Sequence, residues 1–388
     1  MACYPHSMAM NTRVSSLVCL LGLTVGTAGA QDQTIETLRQ LADAPGPPGF
    51  EEPIRKVMVD LMKPLASSIR FDGMGSIIAA QGSGGPRIMV DAHMDELGGM
   101  IRRITPGGLM TMQMLGGWLD QALVDQRWII IGSKGPVHAV TGIRDIHIVP
   151  PDERTRVYDR NGLFLDAGAK SEAEARAMGI SPGDPVVPDS PFQVLNGTDN
   201  YLGKAWDDRA GCAVVIEAMR RLATLPHSNQ IFWTITTQEE VGLRGAHSAA
   251  DTIKPEVGIA IEGGITGDVF RGHPEETQAV LGAGPVIFLY DSSAMPNRKF
   301  AQFVKGTAAA GKIPLQVDLV QGYGDDSAEI QKSNGGVPSV NILVPARYTH
   351  SHNGIINRRD FDQTVDLLVT LLQKLDQSTV ARIRDFTP

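Results

Sequence analysis

From Ala210 onward, short apolar runs alternate with amphipathic segments, and this alternation constrains the fold more than any other feature. Ile231–Ile235, Val257–Ile261, Val286–Leu289, Leu315–Val320 and Val340–Val344 read as strands. Between them, helical spacing recurs near 240–252, 298–310 and 326–333, with a last helix near 360–376. The segment after Ala210 is itself helical, with Ala213, Val214, Ile216, Met219 and Leu222 on one face. Strands that alternate with helices form a mostly parallel mixed sheet sandwiched by helices, an α/β layer fold. Functional residues in such folds gather at the carboxyl ends of the strands.

Upstream, Glu51 to Leu65 carries Ile54, Val57, Met58, Leu61 and Leu65 at helical spacing, and Ile77–Ala80 and Arg87–Val90 read as neighbouring strands. Between about 107 and 200 helical periodicity is scarce and Gly and Pro recur. Short β-rich runs appear there at Trp128–Ile131, Val137–Val140 and Val186–Val187. The expectation is an inserted small β-rich domain at 107–199 that splits one catalytic α/β domain into 31–106 and 200–388.

Residues 1–30 contain no Asp or Glu, place Arg13 before an apolar run and close on Ala28-Gly29-Ala30. That layout predicts a secretory signal peptide cleaved after Ala30, hence a periplasmic or secreted chain. The apolar run, Val14 to Val25, is shorter than the roughly 20 residues of a spanning helix, so no stable membrane anchor is expected. Cleavage would remove Cys3 and Cys19 and leave Cys212, which sits in an apolar helix and reads as a small core residue. A formal charge of −8 without basic clusters argues against nucleic acid as a partner.

Chemistry-bearing residues cluster where the fold would collect them. Arg87–Val90 runs into Asp91-Ala92-His93-Met94-Asp95-Glu96, and Ile231–Ile235 into Thr236-Thr237-Gln238-Glu239-Glu240-Val241-Gly242. Val257–Ile261 is followed by Glu262, Val340–Val344 by Arg347-Tyr348-Thr349-His350-Ser351-His352, and Asp207-Asp208-Arg209 precedes the helix at Ala210. Each piece alone has an ordinary explanation: Asp207-Asp208 as a helix N-cap, Glu239-Glu240 as a helix start favoured by the macrodipole. Together, imidazoles and carboxylates on one rim suit a hydrolytic zinc site. Two ions that share a carboxylate would need a bridging acid, one His and one further acid for each, and a free carboxylate to carry a proton.

The motifs Asp91-Ala92-His93-Met94-Asp95-Glu96-Leu97-Gly98, Lys204-Ala205-Trp206-Asp207-Asp208-Arg209, Gln238-Glu239-Glu240-Val241-Gly242-Leu243-Arg244-Gly245 and Arg347-Tyr348-Thr349-His350-Ser351 resemble those of the tetrahedral-type dizinc aminopeptidases. That family includes glutamyl and deblocking aminopeptidases. The likeness runs from about Thr34 to Leu375 and keeps the family order.

The resemblance implies metal-dependent removal of N-terminal residues from peptides, with two divalent ions per subunit. Zn²⁺ suits the ligands, and Co²⁺ or Mn²⁺ accept similar donors. It implies His93, Asp207, Glu240, Glu262 and His350 as metal ligands, with Asp207 bridging. Glu239 would be the general base and Asp95 would orient the His93 ring. It also implies a homo-oligomer built from dimers, up to a dodecamer. Two departures stand out. Glu262 replaces the family's usual Asp, an acid choice also seen in related dizinc carboxypeptidases and deacylases, and Gly322-Tyr323-Gly324-Asp325-Asp326-Ser327 replaces Gly-Gly-Thr-Asp. The alternatives are a carboxypeptidase, amidase or deacylase on the same chemistry, and an inactive binding relative. A glycosidase ranks last, since two carboxylates acting on a sugar give no reason for His93 and His350.

Overall fold

The structure, a computed structural model, describes residues 32–387. The expected signal peptide and its cleavage point lie outside the described residues. Helices α1 (Gln33–Asp43) and α2 (Glu52–Met62) precede strands β1 (Ser68–Phe71), β2 (Ile77–Gln81) and β3 (Arg87–His93). The chain then builds a closed six-stranded barrel from β4 (Gly98–Ile104), β5 (Met110–Leu115), β6 (Gln126–Gly132), β7 (Gly135–Thr141), β8 (Leu165–Asp166) and, after helix α3 (Glu172–Ala177), β9 (Pro185–Pro188). It returns through β10 (Gln193–Val194) and β11 (Asn200–Gly203) to α4 (Trp206–Leu222), β12 (Gln230–Thr236), α5 (Arg244–Ile253) and β13 (Val257–Ile265). The remainder is β14 (Val286–Tyr290), α6 (Arg298–Ala310), β15 (Gln316–Leu319), α7 (Ser327–Lys332), β16 (Ser339–Arg347), β17 (Gly354–Asn357), α8 (Arg358–Lys374) and α9 (Gln377–Arg384).

Eleven strands form one mixed sheet in the order β1-β2-β12-β3-β13-β16-β17-β11-β10, with β14 paired to β16 and β15 to β14. The centre, β12-β3-β13-β16, is parallel. These strands are covered on both faces, which is why they read as unbroken apolar runs rather than alternating ones. One face packs on α4 and α8, through Val90, Ile259, Val340, Val214 and Leu368. The other packs on α5 and α7, through Met89, Ala249, Ile253 and Ile330. The α/β layer architecture is thus as the alternation predicts.

Two details differ from the sequence reading. Strands β2 and β3 are not neighbours: β12 lies between them, antiparallel to β2 and parallel to β3. Ile231, Trp233 and Ile235 are all fully buried, so β12 needs backbone partners on both edges and takes an interior position. Second, the barrel strands span Gly98–Pro188, so the β-rich block begins nine residues before 107 (107 − 98), and β10 and β11 at its expected end belong to the main sheet. Gly98-Gly99 opens β4 only four residues after Met94, too short a passage for composition to mark. The barrel has its own core, with Ile101, Met110, Trp128, Ile130, Leu165 and Val186 buried inside it.

Candidate metal centre

Helix α4 carries the first half of the site. From Asp208 to Ile216 it is buried without a break, so core packing fixes its N-terminus. The paired acids there divide their work. Asp208 caps the helix, accepting from the Gly211 amide at 2.9 Å and from the His93 amide at 3.3 Å. Asp207 turns outward, across a cis Asp207–Asp208 peptide. Its Oδ1 lies 3.1 Å from His93 Nε2 and its Oδ2 lies 3.3 Å from His350 Nε2. One carboxylate therefore joins the two histidines. Gly263 makes this possible, because a Cβ on it would come within 2.8 Å of Asp207 Cα as β13 passes beneath.

His93 ends β3 and is fully buried. Its Nε2 faces Asp207, Glu239 Oε2 at 3.7 Å and Glu262 Oε2 at 3.7 Å. Its Nδ1 meets the Asp95 carbonyl at 3.1 Å and the Asp95 carboxylate at 3.5 Å. Asp95 does more than stand behind this ring. Its carboxylate accepts the Glu239 amide at 3.0 Å and the Glu240 amide at 3.1 Å, so it holds the loop after β12 as well. That loop doubles back through Gly242, whose φ of +123° suits glycine alone. Glu262 lies within β13 rather than beyond it. His350, on the loop after β16, faces Glu240 Oε2 at 3.6 Å, and its Nδ1 meets the Gly117 carbonyl at 2.7 Å.

Three overlapping groups of ligand-type atoms result: His93, Asp207 and Glu262; His93, Glu239 and Glu240; and Asp207, Glu240 and His350. All seven site residues expected from sequence thus meet in one place. Four of the carboxylates crowd two imidazoles. Burial pushes Glu239 and Glu262 well above the usual carboxylate range and Glu240 up to about 8. Burial opposes charge on His93, but Glu239 and Asp207 beside it hold it well above its ordinary value. Burial likewise opposes His350, and Asp207 and Glu240 carry it up to about 9. For Asp207 burial is outweighed by the hydrogen bonds of His350 and His93, which hold it far below the usual range.

These groups therefore need either protons or a cation between them. Glu240 Oε1 is buried with no hydrogen-bond partner among the described residues, as a free ligand oxygen would be. Imidazole nitrogen with carboxylate oxygen is a donor set that divalent metals take. The residues fit a metal.

Other residues of the opening motif are supports. Glu96 accepts from Lys204 at 2.5 Å and from the Gly46 amide at 3.0 Å. Asp91 accepts from the Thr234 hydroxyl. Asp326 accepts from Thr236 at 2.7 Å and offers its amide to Glu262 at 3.4 Å. Cys212 is buried, with its thiol 3.2 Å from the His93 carbonyl, and burial pushes it far up. Sequence reasoning missed Gly117, and it also missed His352. The latter packs edge-on against Trp128 with centroids 4.2 Å apart and lies 5.5 Å from Trp118. Burial lowers His352 to about 4, and the backbone of Ala122 and Arg127 offsets part of that.

Residues 75–367 match the family model described as M42 glutamyl aminopeptidase. The lysyl aminopeptidase of Pyrococcus furiosus is 32% identical over 91% of this chain and 99% of its own. A TET aminopeptidase from a marine sediment archaeon of the Thaumarchaeota superposes with a TM-score of 0.88 at 38% identity, covering 91% of this chain and 99% of that one. The Pyrococcus horikoshii TET1 peptidase, described as able to assemble into a tetrahedron or a large octahedral shell, gives 0.80 at 31% identity over 88% and 100%. Matching over three quarters of its length, with its acids and histidines converged as such chemistry requires, the chain belongs to the M42 family and is a metal-dependent aminopeptidase.

Proposed function

We propose that the centre holds two divalent ions, zinc by its donor set, one among His93, Asp207 and Glu262 and the other among Asp207, Glu240 and His350. The observation that carries this is the Asp207 carboxylate, whose two oxygens face two different histidines at 3.1 and 3.3 Å. Such ions would supply Lewis acidity to a water and to the carbonyl it attacks. Glu239 is the proton carrier. As water oxygen bonds to the first peptide carbonyl carbon, Glu239 takes its proton, and it returns that proton to the leaving amine as the C–N bond breaks. Asp95 aims Glu239 through its backbone and the His93 ring from behind, so it is a positioning residue.

The reading extends to assembly and export. Homo-oligomerisation is supported by the TET1 relative and by the exposed apolar side chains of Ile143, Ile146, Ile148 and Val157 on the barrel side. Light scattering on the purified chain tests it, and a monomer at working concentration would refute it. Export rests on the layout of residues 1–30 and is tested by the N-terminus of protein recovered outside the cytoplasm.

The activity test is mass spectrometry of free and N-acetylated peptides incubated with the protein and Zn²⁺ or Co²⁺. Stepwise loss from free N-termini, stopped by acetylation and by chelator, is expected. Loss from C-termini, or of the acyl group, would overturn the N-terminal site of cleavage and leave the same residues acting on another bond.

A further inference from the structure

Outside the proposed ligands, a buried aromatic cluster lies one residue from Gly117 and two from His350 along the chain. Trp118, Trp128 and His352 stack in a group that is almost wholly buried, with Trp118 and Trp128 centroids 5.6 Å apart. Both tryptophans are tied to the barrel side. Trp128 Nε1 donates to Thr141 at 3.1 Å, while Trp118 Nε1 is shared between the Gly98 and Leu115 carbonyls at 3.2 and 3.1 Å. The rings thus form a fixed socket. His352 enters it from the main-sheet loop, presenting its edge to Trp128 in the T-shaped arrangement that aromatic pairs favour.

That loop needs an anchor. Tyr348 and His350 both have left-handed backbones, with φ of +60° and +57°, which non-glycine residues hold only where the surroundings impose it. On one side of His350, Gly117 grips its ring nitrogen. Trp118, next to Gly117, is part of the socket that grips His352. The same turn of the barrel side therefore holds the loop at two points, two residues apart.

Resting on the two-ion reading of the centre, we infer that the Trp118–Trp128–His352 cluster is a positioning clamp that sets His350 and so determines occupancy of the Asp207–Glu240–His350 side alone. His93 is placed by the sheet core and does not depend on it. His352→Ala empties the socket, whereas His352→Phe keeps a ring in it.

The test is metal binding to the full-length chain, stripped by chelator and titrated with Zn²⁺ alone, read as stoichiometry and as stepwise affinity in chelator competition. The wild type is expected to hold two ions. His352→Ala should keep one at wild-type affinity and bind the second about 10- to 100-fold more weakly, the usual effect of losing a ligand's support. His352→Phe should restore the second. Trp118→Phe, a milder change with the ring retained and its N–H lost, should weaken only the second ion, and it serves if His352→Ala does not fold. Equal binding of both ions by wild type, His352→Ala and Trp118→Phe would overturn the clamp and leave the two-ion centre standing. Equal weakening of both ions would also overturn it. A wild type that holds one ion would overturn the two-ion centre and the clamp with it.

Discussion

The two histidines of the centre are positioned by different means. His93 closes a central strand, is fully buried, and has core on every side: its amide on Asp208, its carbonyl on the Cys212 thiol, its ring on Asp95. His350 sits on a loop with a left-handed backbone, its side chain 42% exposed, and it leans on a carbonyl from the barrel side. One half of the site inherits its geometry from the interior. The other is assembled where two excursions of the chain meet. A rigid half and a dependent half can share one carboxylate only if something outside both fixes Asp207, and α4 does so.

Breaking the chemistry without touching either half should have the largest effect. Glu239→Gln keeps shape and both histidines, so kcat should fall about 10²- to 10⁴-fold while metal content is unchanged by elemental analysis. Wild-type turnover would remove Glu239 from its role. Asp95→Asn comes next, because Asp95 supports His93 and, through two amides, the Glu239-Glu240 loop. Metal affinity or activity should drop about 10- to 100-fold, on both sides of the centre. A loss confined to one ion would show that only one of those contacts matters.

The halves themselves should separate in stability. Removing the fully buried His93 ring as His93→Ala leaves buried acceptors unpaired, and should cost about 1–3 kcal/mol in denaturant unfolding of the metal-free chain. His350→Ala, half in solvent, takes a cation away from Asp207 and Glu240 but opens no hole in the core, and should cost less than His93→Ala. Equal costs would mean that the two histidines do not differ in how they are held.

The same electrostatics govern pH dependence after metal removal. Glu240 at about 8 stands above its ordinary 4.5, and His350 at about 9 stands above 6.5. The folded chain then holds protons that the unfolded chain releases. Their contribution is complete below the unfolded values and is lost as pH rises through about 8 and 9. Thermal melting of stripped protein should therefore weaken toward pH 9, and adding metal should flatten the slope and release protons. A stripped chain that gains stability over that range would contradict it.

Local signals were enough for the rim. Each ligand-type residue lies within six residues of an apolar run or helix start, and the runs announce their own ends, so His93, Asp207, Glu239, Glu240, Glu262 and His350 were legible as a set. Order across the sheet was not. Whether β12 or β2 lies beside β3 depends on pairing between residues some 140 positions apart, for which nearby composition carries no information (Trp233 opposite Val90, for instance). The same limit hid Gly117, whose backbone carbonyl meets His350 and whose missing Cβ leaves room for that ring, a fact visible only once the two are brought together. His352 carried no signal of its own, because its partners, Trp118 and Trp128, come from the barrel side. Strand β1 is short, with three of its four residues exposed, and offers little periodicity to read.

Helix α4 has one more consequence. Because Asp207 directly precedes the Asp208 cap of an element buried along nearly its whole length, the spacing of the two halves is registered to the interior and not to any surface loop. Heat that loosens the rim leaves that spacing alone, while heat that melts the interior erases it at once.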